Sequence, residues 1–161
     1  MDVISSATSQ PDPGRRRRIL VVDDNAMILK VLSLKLQSNG YDVSTATDGA
    51  EAIRIVRKEK PDLILVDVSF PPDVGHGGGV PWDGFLIMDW VRRIDEAKHI
   101  PFVVITGGDP VKYEKRSLDA GAVAFFHKPI DHDGLINVIR RTLGDPVEPP
   151  TPGFDTTTFQ I

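Results

Sequence analysis

The sequence predicts an α/β domain, a doubly wound parallel sheet of five strands with helices on both faces. Short apolar runs at residues 19–22, 63–66, 102–105 and 123–126, with a further strand-like segment at 41–46, alternate with stretches of helical periodicity. Most of the runs are continuously apolar, the pattern of strands buried on both faces. Cap residues before the periodic stretches and stop residues after them separate the elements.

After the run at 19–22, residues 25–38 carry Ile28, Leu29, Leu32 and Leu36 at helical spacing, and Asn39-Gly40 supplies a stop. Residues 41–46 read as the second strand. Asp48 followed three residues later by Glu51 is a capping box, opening a helix with Ala52, Ile53 and Val56 on its inner face. Pro61 ends the connection to the strand at 63–66. A helix over 83–95 places Leu86, Ile87, Trp90, Val91 and Ile94 at core spacing, and Pro101 precedes the fourth strand. Asp109 and Pro110 fit an N-cap and a first helical position, where proline loses no needed hydrogen bond. Gly121 closes that helix before the strand at 123–126. The last helix, 131–143, aligns Leu135, Val138, Ile139, Thr142 and Leu143 in one stripe, and Gly144 ends it.

A length of 161 residues fits one domain with extensions. Its 40% hydrophobic and 26% charged residues are ordinary for a globular chain, and a net charge of -4 gives no global pull toward nucleic acid. The absence of cysteine excludes disulfides, thiol catalysis and thiolate zinc sites. Residues 1–14 are polar, with two prolines and no long apolar stretch, unlike a signal peptide or a membrane span. The expectation is a cytoplasmic protein with no membrane partner and no direct nucleic-acid partner. Three segments follow: a flexible leader over 1–16, one domain over 17–144, and a proline-rich tail over 145–161. The tail is too short for an output domain. Its last six residues have β propensity, so it is either disordered or pairs with a sheet edge or a partner. Arg15 to Arg18 form a basic run that either attracts phosphate or an acidic partner, or is simply a solvated approach to the first strand. Residues 69–82, rich in glycine and proline, read as a long irregular loop, either functional or a tolerated insertion.

Five polar residues follow the apolar runs: Asp23 and Asp24, Asp67, Thr106, and Lys128. Parallel strands point their carboxyl ends to one edge of a sheet, where ligands of open α/β sheets bind. Three carboxylates, a hydroxyl and an ammonium therefore converge, a set able to hold a divalent cation on oxygen ligands and to receive a phosphoryl group. Each aspartate alone could equally be a helix N-cap, but two adjacent ones cannot both cap the same helix.

These residues, in order, resemble the receiver domains of two-component response regulators over roughly residues 17–144. The run Ile19-Leu20-Val21-Val22-Asp23-Asp24-Asn25 is similar to the family's first strand and acidic pair. Asp67 stands at the phosphoacceptor position, Thr106 at the switch hydroxyl, Gly121-Ala122 at the turn before the last strand, and Lys128-Pro129 at the closing pair, with a cis peptide bond implied. Pro71 and Asp83-Gly84 match the motif after the phosphoacceptor, although the loop between them is about nine residues longer than usual.

The resemblance implies a flavodoxin-like fold with strand order 2-1-3-4-5. It also implies Mg2+ held by Asp24 and Asp67 directly, by Asp23 through water and by the Ser69 carbonyl. Lys128 would pair with a phosphate oxygen, Thr106 would reorient toward the acyl phosphate, and Phe125 would occupy the aromatic switch position unless it is simply core. The expected function is phosphoryl transfer from a phosphohistidine donor onto Asp67 by a stand-alone response regulator that is not an enzyme. Its partners would be a histidine kinase or histidine phosphotransferase and a downstream protein target, with a homodimer through the last two helices and last strand also open. Gly107 and Gly108 offer no side chain to orient a hydrolytic water, so phosphoryl lifetime is expected to depend on Ser69 and the 69–82 loop. Other readings are an adaptor that binds partners without phosphorylation, and a small phosphohydrolase; Ser69 stands where the latter would want a second acid. His127, Asp131, His132 and Asp133 are crowded but flank a turn, and His76 has no partner nearby in sequence, so no transition-metal site is expected.

Overall fold

The computed structural model describes residues 15–68 and 83–144. The leader as far as residue 14, the loop at 69–82 and the tail at 145–161 lie outside the described residues. The chain runs β1 (Arg18–Val22), α1 (Ala26–Ser38), β2 (Asp42–Ala46), α2 (Gly49–Glu59), β3 (Leu63–Asp67), α3 (Gly84–Arg92), β4 (Phe102–Thr106), α4 (Pro110–Asp119), β5 (Ala124–His127) and α5 (His132–Leu143). The five strands are parallel, in the order β2-β1-β3-β4-β5. The chain leaves β1 toward β2 on one side and returns to β3 on the other, which opens a crevice between the carboxyl ends of β1 and β3.

Because side chains alternate across a strand, each strand feeds two cores. Ile19, Val21, Leu63 and Leu65 pack with Leu32 and Leu36 of α1 and with Leu135 and Ile139 of α5. Leu20, Val22, Ile64 and Val66 pack on the other face with Ala52 and Val56 of α2 and with Ile87 and Val91 of α3. At about 25 cal/mol per Å2 of apolar surface, this two-sided burial is the main drive for folding. β2 is an edge strand, partly buried over residues 42–44, exposed at Thr45 and buried only at Ala46.

Among the described residues, every helix opens on an Asn or Asp whose side chain accepts a first-turn N–H: Asn25, Asp48, Asp83, Asp109 and Asp131. At α2 the capping box closes one residue early, since Glu51 Oε2 accepts from Thr47 N at 3.2 Å. Lys60 ends α2 at φ 49, a left-handed conformation that a lysine does not advertise in sequence.

Three expectations shift. The buried stripe of α3 is Phe85, Ile87, Met88 and Val91, while Trp90 is 39% exposed and the helix stops at Arg92. Gly84 sets that rotation. A Cβ there would lie 2.6 Å from the Asp67 carbonyl oxygen and 2.7 Å from Val68 Cα, so the bare face of Gly84 is pressed against the end of β3. On α2, Ile55 is buried and Ile53 only partly so. Val123 is 50% exposed and lies just before β5, which places Phe125 and Phe126 on opposite faces.

Gly84→Ala should therefore overpack backbone against backbone. A loss of about 1 to 3 kcal/mol is expected, read as a lower urea midpoint; an unchanged midpoint would show that α3 can retreat from β3 without cost.

Candidate functional site

At the end of β1, Asp23 N donates to Ala46 O at 3.1 Å, extending the ladder with β2 past Val22. Asp23 Oδ1 accepts from Asn25 N at 2.9 Å. The helix cap is Asn25, whose side chain accepts from Met27 N and Ile28 N, so neither Asp23 nor Asp24 is consumed in capping. Asp67 ends β3 opposite Ile105, and α3 is capped by Asp83. One oxygen from each of Asp23, Asp24 and Asp67 lies within 4.8 Å of the others, and no other such group gathers among the described residues. Asp23 and Asp67 are buried and Asp24 is exposed, giving the cluster one open side.

Lys128 closes it. Its amide donates to Thr106 O at 2.9 Å, continuing the pairing of β5 with β4. Its Nζ donates to Asp23 Oδ2 at 2.7 Å and to Asp67 Oδ2 at 2.9 Å. The Lys128–Pro129 peptide is cis. Burial holds the Asp23 carboxyl above its usual range, with the Asp67 charge adding to the effect, even though Lys128 and the Asn25 amide pull it down. Burial alone would lower the Lys128 ammonium, but the hydrogen bonds and charges of Asp23 and Asp67 outweigh it and the net shift is upward. Three carboxylates against one ammonium leave excess negative charge in a partly dry pocket, on hard oxygen donors. That donor set fits a divalent cation such as Mg2+ or Ca2+.

Thr106 is fully buried at the end of β4, and its Oγ1 accepts from Gly108 N at 3.0 Å. Phe125 is half-buried against the core that contains α3; Tyr113, packed on the same core, stacks on Phe85 with ring centroids 6.3 Å apart. Ser69, Pro71 and His76 lie outside the described residues. His127 joins no metal cluster; its Nε2 contacts Gly108 O at 3.0 Å. That contact was missed in the sequence, where His127 stood out only as a metal candidate. The available signal was the register, since Thr106 and His127 end adjacent strands.

The family model of the response regulator receiver domain matches residues 19–140. The chain belongs to this family. The receiver domain is 29% identical over 129 residues to the polar-differentiation response regulator DivK of Brucella anthropi, covering 80% of this chain and 98% of that one. It is 38% identical over 123 residues to the response regulator PleD of Caulobacter vibrioides, covering 76% of this chain but only 25% of that longer protein. Among solved structures, the chemotaxis response regulator CheY4 of Vibrio cholerae superposes with a TM-score of 0.67 at 29% identity, over 80% of this chain and 99% of the other. Among the described residues of the receiver domain, no helix is long and apolar enough to cross a membrane.

Lys128→Met leaves two buried carboxylates without their ammonium, and a loss of about 3 to 5 kcal/mol is expected at neutral pH without divalent cation. The sign with pH follows from Asp23. A carboxyl whose folded pKa is raised contributes stability below its unfolded pKa and loses it as pH rises through the folded one. Removing Lys128 raises Asp23 further, so the gap between variant and wild type in urea midpoint should narrow as pH falls. A gap independent of pH would mean that the carboxylates do not feel the ammonium.

Proposed function

We propose that this receiver domain is the phosphoacceptor of a two-component phosphorelay, with Asp67 taking a phosphoryl group from a phosphohistidine donor in the presence of Mg2+. The observation that carries the reading is Lys128 Nζ bonded at once to Asp23 and Asp67, beside Asp24. An Asp67 oxygen attacks phosphorus and the bond from phosphorus to the donor's imidazole nitrogen breaks. The electron pair stays on that nitrogen, which takes up a proton, and an acyl phosphate remains on Asp67. Bound Mg2+ supplies charge neutralisation of the phosphoryl oxygens. Asp24 and Asp67 would hold it directly, Asp23 through water and Ser69 through its carbonyl. Lys128 would trade part of its contact with Asp67 for a phosphoryl oxygen, and Thr106 would turn its hydroxyl toward the same group. The chain is thus modified once per donor and is not a turnover enzyme.

Two surfaces support protein partners. A largely apolar groove lined by Met27, Ile28, Val31, Leu32, Pro129 and Ile130 includes Lys128 itself, so it is continuous with the site and suits the donor, a histidine kinase or histidine phosphotransferase. On α4 and the approach to β5, Val111, Leu118 and Val123 are exposed at 86%, 48% and 50%. Apolar groups on this face suit a downstream target or a second copy.

Intact-protein mass after incubation with Mg2+ and acetyl phosphate should show one phosphoryl adduct on wild type and none on Asp67→Asn. No adduct on either, with Mg2+ binding shown separately, would favour an adaptor that binds partners unmodified. Mg2+ should also add about 2.7 kcal/mol of stability at a hundredfold excess over Kd, read as a higher melting temperature. Asp24→Asn should lose most of that increment; an equal increment in the variant would place the ion elsewhere.

A further inference from the structure

His127 ends β5 directly opposite Thr106, which ends β4. Side chains two apart on a strand share a face, so His127 stands on the side of Phe125, toward α4. From there its Nε2 lies 3.0 Å from Gly108 O. A carbonyl only accepts, so Nε2 carries the proton in this contact. The amide of the same Gly108 donates to Thr106 Oγ1 at 3.0 Å. Gly108 is thus gripped at both polar groups, by the buried hydroxyl on one side and by the end of β5 on the other.

We propose that His127 is a latch: it holds the Gly107-Gly108 turn in the conformation that occupies the Thr106 hydroxyl, and so sets how readily that hydroxyl turns toward a phosphorylated Asp67. The proposal deepens the phosphoacceptor reading and rests on it. Two consecutive glycines leave a turn with wide backbone freedom, and contacts select its conformation: the two hydrogen bonds, and the Tyr113 ring, whose Cε2 would lie 2.5 Å from a Cβ at Gly108. When Thr106 Oγ1 swings away, Gly108 N–H loses its acceptor and the turn is freed to move about the hold that His127 keeps on the Gly108 carbonyl. That movement either breaks the His127 contact or pulls on the strand that carries Phe125 two residues earlier. The hydroxyl, the turn and the aromatic are thereby joined by two hydrogen bonds and one strand, a physical element with two arrangements. His127 is exposed and belongs to neither core cluster, so substituting it leaves both cores intact. Its side chain contacts neither Asp67 nor Lys128 in the bonds seen here, which makes it a positioning residue.

The test uses the full chain as wild type, His127→Ala and His127→Gln. Each is phosphorylated with acetyl phosphate and weighed. Each is also titrated with beryllofluoride and Mg2+, a phosphoryl-like ligand for Asp67, while the Gly108 amide and Phe125 ring resonances are followed by NMR. The expected result is an adduct on all three proteins. His127→Ala should reach half-saturation at about two- to tenfold lower beryllofluoride, the range that one hydrogen bond at an exposed position spans, and its resonances should already be displaced toward the saturated positions before addition. Glutamine carries an N–H donor at a similar reach, so His127→Gln should return to wild-type behaviour. An adduct on all three with His127→Ala indistinguishable from wild type overturns the latch and leaves the phosphoacceptor reading standing. His127→Gln behaving like His127→Ala overturns it too, because the effect would then not be a hydrogen bond. No adduct on any of the three overturns the phosphoacceptor reading, and the latch with it.

Discussion

The ammonium of Lys128, bonded to Asp23 and Asp67, is the interaction around which the carboxyl edge of the sheet is organised. Without it two carboxylates sit buried within one small cluster without their shared counter-charge. With it, the ends of β1, β3 and β5 are tied across the crevice by a single side chain. The tie also tunes the chemistry. Lys128 cannot neutralise three acids, so the pocket keeps a negative excess on oxygen donors that a divalent cation fits. Strong local binding and incomplete neutralisation are therefore two aspects of one arrangement.

The scaffold makes that arrangement possible by sparing the aspartates other duties. An acidic residue after a strand is ordinarily absorbed as the cap of the next helix. Here Asn25 and Asp83 take those roles, so Asp23, Asp24 and Asp67 remain available to one another. Consecutive strands deliver their carboxyl ends to one edge, and parallel register places Asp67 beside Ile105 and Thr106 opposite His127. The same geometry brings the helix N-termini to that edge, where aligned backbone dipoles favour negative charge.

Much of this was legible in the sequence because the governing signals are local. Continuous apolar runs mark buried strands, and polar residues at their ends mark the edge, so Asp23, Asp24, Asp67, Thr106 and Lys128 could be named from position alone. What was not legible depended on contacts between distant segments. The rotation of α3 was misjudged because both the 86/87/90/91/94 and the 85/87/88/91 stripes are apolar at helical spacing. The choice between them is made by the approach of Gly84 to the backbone of Asp67 and Val68. Lys60 in a left-handed cap and Asn25 in place of an aspartate as cap are likewise decided by geometry that composition does not reveal. The contact of His127 is hidden for a related reason: its partner is a backbone carbonyl, and backbone atoms leave no mark in a sequence.

The close seat of Gly84 on the end of β3 bears on the chain that joins them. Because the start of α3 touches the backbone of Asp67 and Val68, the two anchor points of the connecting segment are fixed by contacts that the segment does not make. Closing a chain between fixed points costs entropy that grows only logarithmically with its length, about 0.6 kcal/mol for each doubling. Residues can thus be added between Val68 and Asp83 with little thermodynamic penalty and with Asp67 still held in place. The fold uncouples the position of the Asp67 carboxylate from the length of the chain beside it, which leaves that stretch open to diversify while the acidic cluster stays where it is.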